Sequence, residues 1–170
     1  VPPYDTAFSE TGIDGTDYWD ISDDGTIHNP EMKQHLIDMY DGEILYVDDQ
    51  IGRLISELRA RNILDNTVLI VTSDHGEEFL EHGGVGHGHA LYQEQIHVPL
   101  IIAGPGIEAG SRVAENVGLF DLMPTVLSLF GVPVPDMVEG TDLLAEAGFH
   151  RPIPSGGVSP DRFFFADTPL

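Results

Sequence analysis

The sequence predicts a layered α/β domain, and three features of its residue pattern indicate this fold class. A long amphipathic stretch is followed by a continuous β-branched run, and a second apolar run lies further along the chain. A long helix followed by strands buried on both faces is typical of a sheet covered by helices. In open sheets of this class, chemistry collects beyond the carboxyl ends of the strands. We therefore expect functional residues in the loop after the first predicted strand.

The predicted helix begins near Pro30 and ends near Asn62. Asn29 can cap it, Pro30 suits its first position, and Glu31 adds an acid to its first turn. Apolar residues then recur at steps of three or four and form one stripe, namely Leu36, Tyr40, Ile44, Val47, Ile51, Leu54 and Leu58. The opposite face is acidic and carries Asp38, Asp41, Asp48, Asp49 and Glu57.

Two apolar runs predict buried strands, at Thr67–Thr72 and at His97–Ala103. Glycines and a proline close the second run at 104–106. A short helix is predicted from Asp121, which can cap it, to Gly131. The aromatic run at 163–166 predicts a third strand.

The charge and the composition exclude several classes of function. There are 29 acidic and 7 basic residues, a formal net charge of −22, so nucleic acid and anionic membranes are unfavourable partners. The acids are scattered, which indicates a solvated acidic surface rather than an acidic tail. The absence of cysteine excludes disulfides and thiolate ligands. No apolar run is long enough to span a membrane and no targeting signal is visible, so the compartment stays open.

Asp74 and His75 directly follow the first predicted strand and are the first candidate metal ligands. A strand end holds the backbone firmly, and Gly76 lets the chain turn away, so both side chains can reach one cation. An ordinary turn or a hydrogen-bonded surface pair is the alternative. Five of the eight histidines lie between His75 and His97 among several glycines, which favours a metal or an anion site.

Four consecutive blocks of the sequence read YDGEILYVDDQIG, LDNTVLIVTSDHGEEF, EHGGVGHGHALYQEQIHVPLIIAGPG and LFDLMPTVLSLFGVPVP, and they cover about residues 40 to 144. These blocks resemble bacterial sulfatases and related phosphate and phosphonate ester hydrolases. This resemblance to the sulfatase family of the alkaline-phosphatase superfamily implies a partial three-layer α/β/α sandwich with a mixed or mostly parallel sheet. We expect residues 1–170 to form a single partial domain of this kind.

The resemblance also implies roles for individual residues. Asp74 and His75 correspond to ligands of the active-site divalent cation, which would be Mn, Zn or Ca. His87 corresponds to a residue that contacts the ester and its leaving group, a catalytic role in anion stabilisation or general-acid help. His82 and His89 flank it as candidates for substrate binding. His97 receives no role.

The resemblance further implies that the nucleophile comes from an amino-terminal half, because its Cys- or Ser-Pro-Arg motif does not occur in this sequence. We expect the isolated chain to bind metal poorly and to be inactive. The partners it implies are a small or sugar ester, together with the other half of the same protein or further copies of the chain. Glu77 and Glu78 could orient ligands, but a solvated turn is the simpler interpretation.

Three functions follow from these observations. The first is hydrolysis of sulfate esters by the complete protein. The second is hydrolysis of phosphate or phosphonate esters, or phosphoglycerol-type transfer, which an imidazole ligand favours slightly because it suits Mn or Zn better than Ca. The third is a non-catalytic acidic calcium-binding module, because Asp20–Glu31 fits the twelve-residue calcium-loop pattern. An acidic turn that precedes a helix cap is the simpler interpretation of that loop.

Overall fold

A computed structural model describes Tyr4, Ala7, Phe8 and residues 30–114, 116–146 and 163–168. Its helices and strands, in chain order, are α1 (Pro30–Ala60), β1 (Leu69–Thr72), β2 (Glu78–Phe79), β3 (Val85–Gly86), α2 (Gln93–Ile96), β4 (Val98–Ala103), β5 (Ser111–Val113), α3 (Leu122–Leu129), α4 (Leu143–Glu146) and β6 (Phe163–Thr168). The predicted long helix and all three predicted strands are therefore confirmed, with small shifts of their ends.

The chain divides into two compact units. The first comprises Val1–Glu57 and Glu77–His89, and the second comprises Leu58–Gly76 and Ala90–Leu170. The first unit contains most of α1 and the β2–β3 hairpin, and the second contains the main sheet. The expectation of a single partial domain stays a prediction.

Helix α1 ends where the sequence predicts, because Asn62 adopts a left-handed conformation with φ of 56°. The Asn62 N–H then donates to the Arg59 carbonyl at 3.0 Å, and the Ile63 N–H donates to the Leu58 carbonyl at 3.1 Å. This pair of bonds is a Schellman motif, which satisfies carbonyls at the helix end, and asparagine accepts the left-handed backbone better than most residues.

The apolar stripe of α1 is buried only at its beginning. Leu36 is 5% exposed, whereas Ile44, Val47 and Leu54 are each about half exposed, at 53%, 52% and 51%. Periodicity therefore predicted the helix correctly, and most of the stripe is exposed or only partly buried. A period reports which residues share a face and carries no information about what covers that face.

The main sheet has the strand order β1-β4-β6-β5. β1 pairs with β4 and β4 pairs with β6 in antiparallel fashion, whereas β5 and β6 are parallel. The sheet is therefore mixed, as predicted, and the mostly parallel alternative is wrong for these four strands. Among the described strands, β1 pairs with β4 alone, and it is half-buried rather than buried on both faces.

The core of the second unit lies against β4. Val98, Leu100 and Ile102 are at most 2% exposed, and the apolar residues of the loops and helices that follow the strand complete the cluster. Burial of an aliphatic side chain of this size contributes about 1.5–3 kcal/mol, so these three residues of β4 contribute strongly to the stability of the second unit.

Asp121 has a different role from the predicted helix cap. Its side chain makes no cap bond to α3. Its carboxylate instead accepts the Gly118 N–H at 2.7 Å and the Thr141 N–H at 2.8 Å, and the residue is 5% exposed. This buried carboxylate joins two segments that are 20 residues apart. The local pattern marks Asp121 as a residue at a helix start, but it does not reveal the contact with Thr141.

We expect Asp121→Ala to lower the free energy of unfolding by about 3 kcal/mol, because two backbone N–H groups lose a charged acceptor in a buried site. Denaturant unfolding followed by circular dichroism measures the loss. Asp136→Ala removes an exposed aspartate from the same unit and serves as the control. An equal loss in both variants would contradict the role of Asp121.

Candidate active site

The predicted metal ligands Asp74 and His75 lie side by side in the second unit, directly after β1. The Asp74 Oδ1 atom accepts the His75 backbone N–H at 3.1 Å, and the Asp74 Oδ2 atom lies 3.7 Å from the His75 Nε2 atom. The side chain of Asp74 is 88% exposed and that of His75 is 41% exposed. The two side chains therefore converge, and both reach solvent.

The segment that carries this pair is held at both ends. Thr72, the last residue of β1, pairs with Leu100 of β4. The Gly76 N–H donates to the carbonyl of Gln95 at 2.7 Å, which returns the chain to the residues just before β4. Between these two points, the Ser73 hydroxyl donates to the His75 carbonyl at 2.7 Å. Only three residues span the interval, so little backbone freedom remains.

Gly76 is required here because of close approach. A Cβ atom at this position would lie 2.1 Å from the Glu94 carbonyl oxygen. The sequence correctly indicated that glycine matters after His75, but the reason is the approach of another backbone segment rather than a turn that needs positive φ.

The orientation of the His75 ring suits a metal ligand. Its Nδ1 atom lies 2.9 Å from the Gly76 carbonyl, which can only accept, so we assign the proton to Nδ1 and the lone pair to Nε2. A carbonyl that holds the second ring nitrogen is the usual partner of a metal-binding histidine.

The spacing of the donor atoms also suits one cation. Two ligands at about 2.1 Å from an ion lie roughly 3.0–3.4 Å apart in octahedral or tetrahedral geometry. The observed 3.7 Å between Asp74 Oδ2 and His75 Nε2 exceeds this by only a few tenths of an ångström. A small side-chain rotation closes the difference. The residues present therefore fit a divalent cation.

The other candidate histidines belong to the first unit, where β2 and β3 form a short hairpin with Glu78 opposite Gly86. The carboxylate of Glu78 is the polar centre of this hairpin, and the residue is 0% exposed. Its Oε1 atom accepts the His82 N–H at 3.1 Å and the Gly84 N–H at 2.8 Å, and its Oε2 atom lies 3.0 Å from His89 Nε2.

His87 is held by the neighbouring glutamate. Its Nδ1 atom lies 3.2 Å from both carboxylate oxygens of Glu77. The side chain of Glu77 is 22% exposed and that of His87 is 48% exposed. Because a carboxylate only accepts hydrogen bonds, we assign a proton to Nδ1. Glu77 directly precedes β2, so this contact orients the His87 ring relative to the hairpin.

Two contacts attach the hairpin to α1. The Lys33 ammonium lies 3.3 Å from Glu81 Oε1, and the Tyr40 ring meets the Phe79 ring edge to face with centroids 5.2 Å apart. Burial raises the pKa of the Tyr40 phenol, with smaller contributions from the Glu77 and Asp41 carboxylates. The phenol is therefore a neutral group beside the acidic hairpin at physiological pH.

The structure thus divides the predicted residues into two groups, each within one unit. Asp74 and His75 form a pair; His82 and His89 share Glu78, and His87 pairs with Glu77. Interpreting Glu77 and Glu78 as a solvated turn is wrong, because one is buried and the other is mostly covered. The spacing of ten and eleven residues between each glutamate and its histidine is the signal that the sequence contained.

The predicted calcium loop at Asp20–Glu31 lies outside the residues whose side chains are described. Among the helices of the described segments, none combines the length and the apolar character needed to cross a membrane.

Comparison with known proteins supports the resemblance. A family model described as Sulfatase matches residues 2–132. Arylsulfatase K from dog is 40% identical over 97 residues, which is 57% of this chain and 18% of that protein. Human arylsulfatase K is 39% identical over 97 residues, which is again 57% of this chain and 18% of that protein. The chain therefore spans about a fifth of the length of these relatives.

Two solved structures are similar in fold. One is a protein in complex with its substrate D-glucosamine-2-N,6-O-disulfate, with a TM-score of 0.62 and 30% identity, covering 82% of this chain and 28% of that chain. The other is a phosphonate monoester hydrolase from Silicibacter pomeroyi, with a TM-score of 0.66 and 34% identity. The match covers 74% of this chain and 25% of that chain. The predicted α/β architecture is therefore confirmed.

The ion pair between α1 and the hairpin predicts a pH effect. Burial raises the pKa of the Glu81 carboxyl, but hydrogen bonds from the Glu81 and Phe79 backbone and from Lys33 outweigh it and leave this pKa lowered. A lowered pKa stabilises the fold above the ordinary glutamate value, and this contribution is lost as pH falls through the lowered value.

We expect Lys33→Ala to raise the pKa of Glu81 and to cost about 0.5 kcal/mol or less at neutral pH, because the pair is exposed. The cost disappears in acid. Carboxyl NMR titration measures the pKa, and Arg53→Ala removes another cation of α1 as the control. An unchanged Glu81 titration in Lys33→Ala would contradict the assignment.

Proposed function

Because the chain belongs to the sulfatase family of the alkaline-phosphatase superfamily, we propose that the protein in which it occurs hydrolyses sulfate esters. The observation that carries this proposal is the convergence of Asp74 Oδ2 and His75 Nε2 at the end of β1. Convergent carboxylate and imidazole donors at a strand end are suited to a metal-dependent hydrolase.

In this proposal Asp74 and His75 hold a divalent cation, whose chemistry is Lewis-acid polarisation of the ester. Mn, Zn and Ca are the candidates, and the nitrogen ligand favours the first two. The protein supplies geometry: β1 and the Gly76–Gln95 bond fix the backbone, and the Gly76 carbonyl fixes the His75 ring. An excess of negative charge in the chain makes bound positive charge necessary for attracting an anionic ester.

His87 is the proposed catalytic residue. Overall, water and the ester give an alcohol and hydrogen sulfate. When the bond between sulfur and the alcohol oxygen breaks, its electron pair leaves on that oxygen. His87 lies with Nδ1 on Glu77, which directs the opposite ring edge away from the carboxylate. With a proton on each ring nitrogen, His87 would keep its Nδ1 proton on Glu77 and give the Nε2 proton, or a hydrogen bond from it, to the departing oxygen.

His82 and His89 are proposed to contact the substrate. Both are exposed although they interact with the buried Glu78. Glu78 holds His82 through its backbone N–H and His89 through its ring, and an imidazole that reaches solvent can donate to a sugar hydroxyl or to a sulfate oxygen. A sulfated sugar is the substrate class we favour, because the similar protein with the disulfated glucosamine takes such a ligand.

The second candidate function is hydrolysis of phosphonate esters. It is favoured by the 34% identity to the phosphonate monoester hydrolase and by the mixed nitrogen and oxygen donors. We expect the complete protein to show a higher kcat/KM for 4-nitrophenyl sulfate than for a 4-nitrophenyl phosphonate ester. The reverse order would select the second function.

We expect Asp74→Ala and His75→Ala each to reduce kcat/KM for a sulfate ester by at least about 100-fold in the complete protein, with weaker Mn or Zn binding. Steady-state assays and calorimetric metal titration measure the two effects. Asp65→Ala, which removes an exposed aspartate before β1, is the matched control. Survival of activity in both test variants would exclude the metal assignment.

A further inference from the structure

We propose that Glu78 is a positioning residue: its buried carboxylate fixes the hairpin that carries the histidines and thereby sets the position of His87. This inference rests on the proposed function, because His87 is the group that acts on the departing oxygen. Glu78 itself is fully buried and touches no substrate in this account.

The contacts of Glu78 close the hairpin from inside. Its Oε1 atom accepts two backbone N–H groups, from His82 and Gly84, and its Oε2 atom accepts from His89 Nε2. These partners are 4, 6 and 11 residues further along the chain. A single side chain therefore ties together the turn of the hairpin and the segment that follows β3. Hydrogen bonds to a charged acceptor contribute about 1.5–3 kcal/mol each, so these three bonds strongly stabilise the conformation of the hairpin.

The backbone of the hairpin is adapted to this carboxylate. A Cβ atom on Gly84 would lie 2.6 Å from His89 Nε2 and 3.1 Å from both Glu78 oxygens. Leu80 adopts φ of 69°, which is unfavourable for a residue with a side chain, and its N–H donates to the Gly84 carbonyl at 2.8 Å. Strain of this kind persists only where surrounding contacts enforce it. The Glu78 bonds to His82 and Gly84 are such contacts.

The hairpin register transmits this order to His87. Glu78 pairs with Gly86, so the residue directly before His87 is fixed against the backbone of Glu78. Glu77, the residue directly before Glu78, contacts the His87 ring. Adjacent glutamates thus divide the work: Glu78 positions the backbone that bears His87, and Glu77 orients the ring.

Glu78→Gln is the decisive variant because it keeps size and shape. One amide oxygen can still accept the His82 and Gly84 N–H groups, but the amide NH2 then faces His89 Nε2, which also carries a proton. The His89 ring has to change tautomer or rotate, and the segment through His87 moves with it. We expect the ring nitrogen resonances of both His87 and His89 to shift in protein labelled with ¹⁵N-histidine.

Kinetics separate positioning from a general loss of stability. A displaced His87 affects poor leaving groups, which need help at the departing oxygen, more than good ones. We expect Glu78→Gln to lower kcat about 10- to 100-fold for a sugar sulfate. The loss for 4-nitrophenyl sulfate should be only about threefold, because nitrophenolate departs readily. His87→Gln should show the same dependence, and the double variant should be little worse than either single one.

Glu43→Gln is the matched control, since it makes the same chemical change at an exposed carboxylate of the same unit. We expect the control to stay within about twofold of the parent for both esters, as ordinary surface substitutions do. If the parent protein hydrolyses no sulfate ester, the proposed function fails, and the nitrogen resonances still decide the role of Glu78. Unchanged His87 resonances in Glu78→Gln, or an equal loss for good and poor leaving groups, would overturn the proposal.

Discussion

The antiparallel pairing of β1 with β4 is the constraint on which the candidate metal site depends. β4 contributes Val98, Leu100 and Ile102 to the buried core, and its partner β1 ends opposite Leu100. Four residues later the chain is fixed again, by the bond from Gly76 to Gln95. Asp74 and His75 therefore project from a short span with both ends anchored. Preorganised ligands of this kind bind a cation without an additional cost in backbone order.

The β2–β3 hairpin, which carries the candidate histidines, buries a carboxylate in a strongly acidic chain. With a net charge of −22, an uncompensated buried carboxylate would be unfavourable. Glu78 is nevertheless buried, because two backbone N–H groups and one imidazole satisfy it. Glu77 pairs with His87 in a similar way. Two glutamates that composition alone would assign to the acidic surface therefore hold His87 and His89 in defined positions.

The local sequence pattern predicted the helices and strands well, but it could not predict contacts between residues that are far apart in the chain. Pro30 and Asn62 bound the long helix because their backbone preferences are intrinsic. The Asp74–His75 pair was also recognisable, because a strand end brings neighbouring residues together. The burial of Glu78 was not, since its partners lie up to eleven residues away and only the folded hairpin brings them near. The distant partner of Asp121 was hidden for the same reason.

Anomalous diffraction from crystals of the complete protein grown with Mn²⁺ tests the central claim most directly. The account predicts one manganese peak with an Asp74 carboxylate oxygen and His75 Nε2 both at about 2.1–2.3 Å from it. A manganese ion that is bound by neither side chain, or by only one of them, would contradict it.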